Sequence, residues 1–396
     1  MKILVYRYNS IYETAVIETF RSFGLTVDTE ETGMNRINLK HSETAAPVYK
    51  RLIKQADSGD PYLFVFSMNF FPGISEVCEK LGVLYVCWSV DCPVMELFFK
   101  QITNSCNRIF LFDKAQYDRF SSYNPEHIYH LPLASYAEYY KKTIHDISFQ
   151  EEKNYSADIS FVGSLYSEKN PLKNIHNLSD YDKGVIDGLL EAQMRIYGYY
   201  FLEESLSEEL IEKLKNSPVD TRSEELVEPI DRYAASHFFL DFALAEKERI
   251  YTLNRLAEHF SVRIYTQSDT RGVLKNVENK GIAKTFTQMP KVFHESRINL
   301  NMTMRGIQTG LPLRIFDILG CEGFLMTNYQ PELDDLFEIG VDLEAYSSVD
   351  ELIDKCAYYL SHEDERAKIA HNGYRKATEQ HNMQVRMREL IRIISS

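Results

Sequence analysis

Leu300-Asn-Met-Thr-Met-Arg-Gly-Ile-Gln-Thr-Gly-Leu-Pro-Leu-Arg-Ile-Phe-Asp-Ile-Leu-Gly320 is the most informative stretch of the chain. A strand ends at Met302, and a loop with Gly306 and Gly310 follows. Pro312 then stands where a helix begins, a position at which its missing N–H costs nothing. The free backbone N–H groups of that first turn, together with the helix dipole, make a ready anion site. Arg305 and Arg314 lie beside it, so the stretch suits a diphosphate. Asp317 falls inside the helix among Leu313, Ile315, Phe316, Ile318 and Leu319, which are apolar nearly all round and predict burial on most sides. A buried carboxylate needs hydrogen bonds. The two hydroxyls of a ribose would supply them; so would an Asp317–Arg314 pair at i, i+3.

Outward from this stretch, short apolar runs alternate with helical spacing. In the N-terminal third, Ile3–Tyr6, Leu25–Val27, Tyr62–Phe66, Val83–Trp88, Ile109–Phe112 and Ile128–Leu131 read as strands. Tyr12–Phe23, Val48–Ala56 and Ile74–Leu81 read as helices, with Gly24 as a stop. Continuous apolar strands between helices mean a parallel sheet covered on both faces. This gives an α/β, Rossmann-like domain over 1–135 and a polar linker over 136–157.

Asp158–Val162 opens a second sheet, continued by Val262–Tyr265, Ile298–Met302 and Phe324–Thr327. Between the first two lies a helical insertion at about 170–260, read as Val185–Tyr197, Glu208–Leu214, Ser223–Tyr233 and Phe238–His259. Lys291–Arg297, Pro312–Leu319, Glu351–Leu360, Glu363–Thr378 and Met383–Ile394 complete the helices. The second Rossmann-like domain spans 158–380, and 381–396 forms a final helix. Two doubly wound domains facing a cleft are expected, with ligands outside the carboxyl ends of the strands.

Two further loops follow strands. Gly163-Ser164 closes Asp158–Val162 and could present N–H groups to an anion or form an ordinary turn. Asp91, in Trp88-Ser-Val-Asp-Cys-Pro93, could act as a general base or hold an acceptor hydroxyl. It could equally cap the next helix. No Gly-x-x-x-x-Gly-Lys-Ser/Thr, Gly-x-Gly-x-x-Gly, His-Glu-x-x-His or Gly-x-Ser-x-Gly occurs, and no metal site is inferred.

Composition narrows the class. The 396 residues are 44% hydrophobic and 26% charged, enough for a sizeable core and about two or three domains. The net charge of −14 opposes a phosphodiester backbone, so nucleic acid is not the expected partner. Cys78, Cys87, Cys92, Cys106, Cys321 and Cys356 form no Cys-x-x-Cys and read as reduced thiols, which fits the cytoplasm. The N-terminal apolar run is too short for a signal peptide, and Tyr62–Ile74, broken by Asn69 and Pro72, is too short for a membrane span.

The residues Leu300-Asn-Met, Gly310 through Asn328 with its Phe-Asp-x-Leu-Gly-Cys-x-Gly segment, and Leu333-Asp-Asp-Leu-Phe-Glu338 resemble the CgeB-like (spore maturation protein) family of glycosyltransferase-like proteins. Arg366–Arg386, Asp158–Ser164, Trp88–Pro93 and His130–Ala134 fit it too. The resemblance implies a GT-B glycosyltransferase, hexosyltransferase-like, whose second domain holds a nucleotide-sugar and whose final helix crosses back to the first domain. It places Asp317 on the ribose. Many relatives in the wider retaining group carry Glu-x7-Glu here; this chain has Thr309 and Asp317 at those places, which leaves retention or inversion open.

The implied donor is a UDP-sugar and the acceptor a protein, a cell-wall polymer or a polysaccharide. No cofactor and no metal are expected; a homo-oligomer is compatible. Backbone N–H groups at Gly310, Leu311 and Leu313, with Arg305 or Arg314, would meet the charge of the departing diphosphate. Thr309 or Gln308 would touch the sugar, and Asp91 would be the base in an inverting enzyme. A catalytically silent sugar-nucleotide-binding or assembly protein of the same fold, or a sugar-nucleotide epimerase, are the alternatives.

Overall fold

The structure, a computed structural model, describes residues 1–31, 41–215 and 225–395. The chain divides into two compact units, one of Met1–Leu133, Pro218–Ile230 and Met383–Ser396, the other of Ala134–Ser217 and Asp231–Asn382.

The first unit holds six parallel strands: β1 (Lys2–Arg7), β2 (Thr26–Glu31), β3 (Phe64–Met68), β4 (Leu84–Trp88), β5 (Asn107–Leu111) and β6 (Ile128–His130). Their order is β2-β1-β3-β4-β5-β6. Val5 pairs with both Thr29 and Phe66, and Trp88 with Phe110. Ile3–Tyr6 and Val65–Phe66 are wholly buried, as a sheet covered on both faces requires. Helices Glu13–Ser22, His41–Asp57, Pro72–Leu81 and Lys114–Phe120 link the strands. Gly24, at φ 81°, ends the first helix where a side chain would be strained. Helix Met383–Ser395 packs on Glu13–Ser22, and Arg386 Nε donates to Pro132 O at 3.1 Å. Leu226 forms an antiparallel bridge with Phe99.

The second unit repeats the plan with β7 (Ala157–Val162), β8 (Val262–Tyr265), β9 (Val277–Asn279), β10 (Ser296–Asn301), β11 (Leu325–Asn328) and β12 (Glu344–Tyr346). The order β12-β11-β10-β7-β8-β9 reverses between β7 and β10, where Ile298 pairs with Ile159 and Leu300 with Phe161. Its insertion comprises helices Asp180–Met194, Leu202–Ser205 and Glu208–Leu214, a π-helical segment Ala234–Leu240, and helix Asp241–Ala257. Ile186, Leu190, Leu202, Leu210, Phe239 and Leu244 give this insertion an apolar core of its own. Both sheets are those of an α/β, doubly wound fold.

Several details differ from expectation. The helix after the glycine loop starts at Leu313, with Pro312 one residue outside it at ψ 159°. The polar segment 136–157 carries helices Ala137–His145 and Phe149–Tyr155, because Ala137 and Tyr140 are spaced to bury one face. Of the expected helix Ser223–Tyr233, residues 223–224 lie outside the described residues and only Asp231–Tyr233 is helical. Strands β9 and β12 have no mark in the sequence pattern: each has three residues, too few to show a period. Among the described residues no helix is long and apolar enough to cross a membrane.

Candidate functional site

In an open parallel sheet the crevice forms at the carboxyl ends of the strands where the order reverses. In the second unit this is the gap between β7 and β10. Gly163 and Ser164 leave β7, and the loop to Pro312 leaves β10. Arg249, from helix Asp241–Ala257, joins the two: Nη1 donates to Ser164 O at 2.6 Å and Nη2 to Met302 O at 2.7 Å. Its guanidinium lies 4.5 Å from the Tyr166 ring centroid. A planar fork of donors reaches two carbonyls at once, which an ammonium would not do in the same geometry.

The loop after β10 is held from its other side by alternate buried residues that begin at the end of β11. Asn328 Oδ1 accepts from Thr303 N at 2.7 Å. Gln330 Nε2 donates to Ile307 O at 2.7 Å and Gly310 O at 3.2 Å. Thr309 Oγ1 donates to Glu332 Oε1 at 2.8 Å, and Glu332 N to Thr309 O at 3.1 Å. A carboxylate therefore stands beside Thr309, supplied by Glu332. Gln308, Thr309 and Leu313 are half-buried, whereas Gly310 and Leu311 are buried.

Arg305 is 5% exposed. It pairs with Glu248 (Nη2 to Oε1, 2.5 Å) and lies 3.6 Å from the Tyr197 ring centroid. Gly306 passes so close to Asp241 that a Cβ there would collide with Asp241 Oδ2 and stand 3.0 Å from Cγ. Asp241 is wholly buried. Burial pushes its carboxyl up to about 7; the Gly306 N–H and the charges of Arg305 and Arg249 oppose the rise, and the Glu248 carboxylate adds to it. His237, one helical turn before Asp241, stacks on Tyr233 and brings Nε2 to 3.4 Å from Gln308 Nε2.

Helix Leu313–Gly320 buries Asp317. Asp317 Oδ1 accepts from Tyr140 OH at 2.8 Å, and Oδ2 accepts from Arg314 Nη1 at 3.2 Å. The i, i+3 pair read from spacing is present.

In the first unit, Asp91 follows β4 and is exposed. Its Oδ2 accepts from Asn69 Nδ2 at 2.8 Å. The structure thus brings Gly163, Ser164, Arg305, Thr309, Gly310, Leu311, Leu313, Arg314 and Asp317 into the second unit, with the loops carrying most of them at one sheet edge. Asp91 belongs to the first unit. Arg249, Glu248, Asp241, Glu332 and Tyr140 join the site without any motif in the sequence that singles them out. Among the described residues no group of three His, Cys, Asp or Glu side chains is arranged to hold a metal ion.

Residues 238–392 match the family described as glycosyl transferase-like. No curated protein matches the chain by sequence. Among solved structures, the fold is similar to a glycosyltransferase from Rickettsia africae ESF-5 (8% identity, TM-score 0.57, 99% of this chain and 97% of that one). It is similar to HepE of Anabaena in complex with UDP-glucose (11% identity, TM-score 0.53, 100% and 99%). Sucrose-phosphate synthase from Thermosynechococcus elongatus gives 9% identity and a TM-score of 0.55 over 100% and 99%. These likenesses are of fold, and the fold is GT-B. The sequence match is confined to residues 238–392, in the second unit and the helix that follows it.

Proposed function

We propose that the chain transfers a sugar from a UDP-sugar to a hydroxyl of a protein, cell-wall polymer or polysaccharide, without a metal, as a CgeB-like glycosyltransferase of the cytoplasm. The observation that carries this reading is the edge between β7 and β10. There Gly163-Ser164, the loop from Met302 to Pro312 and the start of helix Leu313–Gly320 converge, with Asp317 buried behind. Two similar structures were solved with UDP-glucose or with UDP.

In the proposed reaction the bond between the anomeric carbon and the diphosphate oxygen breaks, and the acceptor oxygen forms the new bond. Backbone N–H groups around Gly310, Leu311 and Leu313 meet the charge left on the diphosphate. Arg314, half-buried, is better placed for this than Arg305, which is buried and already paired with Glu248. Asp317, oriented by Tyr140 and Arg314, accepts from the ribose hydroxyls. In an inverting enzyme Asp91 takes the acceptor proton.

A second reading, a silent sugar-nucleotide-binding protein, is favoured by one observation: both arginines are engaged by carboxylates of the chain itself. Incubation with radiolabelled nucleotide sugars separates the two. Transfer, or slow hydrolysis to free sugar, supports the enzyme; binding without either supports the silent protein. A changed sugar without acceptor would mark an epimerase.

A further inference from the structure

We propose that Asn69 is a positioning residue for Asp91, so that one buried amide sets the reactive geometry at the carboxyl edge of the first sheet. This rests on the reading of Asp91 as the proton acceptor.

Asn69 directly follows β3, is wholly buried, and has φ 59°. Asparagine tolerates this left-handed conformation better than most residues. Its backbone is fixed: N donates to Trp88 O at 2.9 Å, and O accepts from Ser67 Oγ at 2.7 Å. Ser67 Oγ in turn lies 2.7 Å from Tyr85 OH, which accepts from Phe71 N at 2.9 Å.

The side chain is used completely. Oδ1 accepts from Val90 N at 2.9 Å, Ser89 Oγ at 3.2 Å and Asp91 N at 3.3 Å. Nδ2 donates to Tyr8 OH at 2.5 Å and to Asp91 Oδ2 at 2.8 Å. Tyr8 is itself anchored, because Glu13 Oε1 accepts from Tyr8 N at 2.8 Å and Ser10 N at 3.1 Å. The segments after β1, β3 and β4 thus meet on one amide. The titratable groups gathered there are Tyr8 after β1, Glu13 on the following helix, Tyr85 on β4, and Cys92 and Asp113, whose Sγ and Oδ2 lie 3.9 Å apart.

An exposed carboxylate ordinarily samples several rotamers. Asp91 is instead tied through both its backbone N–H and its carboxylate to a group with no freedom of its own. The amide is chemically required. Aspartate has the same shape but donates nothing, and would set one carboxylate against another. Stability alone does not call for a surface carboxylate to be aimed; proton abstraction does.

Hydrolysis of radiolabelled UDP-glucose by the full chain, with water as acceptor, tests this alongside UDP affinity and melting temperature. Asp91→Asn should lower kcat by about 100-fold or more with UDP affinity kept. Asn69→Asp should lower kcat by about 10-fold or more and move the acid limb of the pH profile upward by about one unit. A merely structural role would lower kcat at every pH and leave the limb in place, and that result overturns the proposal. If Asn69→Asp does not fold, Asn69→Gly, which suits the backbone angle, decides: wild-type kcat overturns the proposal, and a fall with unchanged UDP affinity supports it. Wild-type activity in Asp91→Asn, or no hydrolysis by the wild type, defeats the underlying reading of the base. A fall in Asp91→Asn without a shifted limb in Asn69→Asp defeats the positioning role alone.

Discussion

Gly306 and Asp241 are fitted to each other: a Cβ on Gly306 would overlap Asp241 Oδ2 and lie 3.0 Å from its Cγ and 3.3 Å from His237 Cδ2. The carboxylate is wholly buried. Gly306→Ala should therefore destabilise the chain by about 1–3 kcal/mol, as overpacking does. Urea unfolding of Gly306→Ala, Asp241→Ala and the double variant checks it. The double variant should be less destabilised than the sum, since shortening Asp241 makes the room that the methyl needs.

Asp241 also predicts a pH dependence. Burial raises its carboxyl in the folded chain from 3.8 to about 7. The folded state therefore binds an extra proton between those values, and stability falls as pH rises through that window. Asp241→Asn removes the charge. Its melting temperature should exceed that of the wild type at pH 8, with the gap narrowing toward pH 5. A constant gap across the range would contradict the buried charge as cause.

The Tyr140–Asp317–Arg314 arrangement makes a graded prediction for ligand affinity. Asp317→Ala should weaken UDP binding by about 1–3 kcal/mol through lost charged hydrogen bonds. Tyr140→Phe removes only an orienting bond and should cost less than Asp317→Ala. Arg314→Ala should weaken UDP more than uridine. Isothermal titration of the three variants with both ligands tests the order; equal losses for UDP and uridine in Arg314→Ala would remove that arginine from the diphosphate.

Arg249 ties the ends of β7 and β10 through two carbonyls. Arg249→Lys keeps the charge and loses the fork, so it should destabilise the chain by about 1–3 kcal/mol. The same variant should weaken UDP binding, because Ser164 and Met302 flank the proposed donor loops. Thermal unfolding with and without UDP measures both effects.

The strands and helices that matter most are legible in the sequence because they are long or continuous in the chain. Ile3–Tyr6 is an unbroken apolar run, Ile298-Asn-Leu-Asn-Met302 places an apolar residue at every second position, and the strand, glycine loop and helix from Leu300 to Gly320 follow one another directly. The supports of that loop are not legible. Asp241, Glu248 and Arg249 precede it, Gln330 and Glu332 follow it, and only the strand order brings them to one edge. Tyr140 is concealed in a stretch whose polarity hides two buried positions. Asn69 does leave a trace: a polar side chain interrupting the apolar run Tyr62–Ile74 has to be buried with partners, although nothing local says that Asp91 is among them.

Helix Met383–Ser395 rests on Glu13–Ser22, the helix directly after β1. During synthesis the strands of the first sheet leave the ribosome early, yet this cover arrives only after the whole second sheet has been translated. The exposed face of Glu13–Ser22 therefore stays uncovered until the second sheet has been made, so the first sheet gains its last covering helix only after its neighbour is complete.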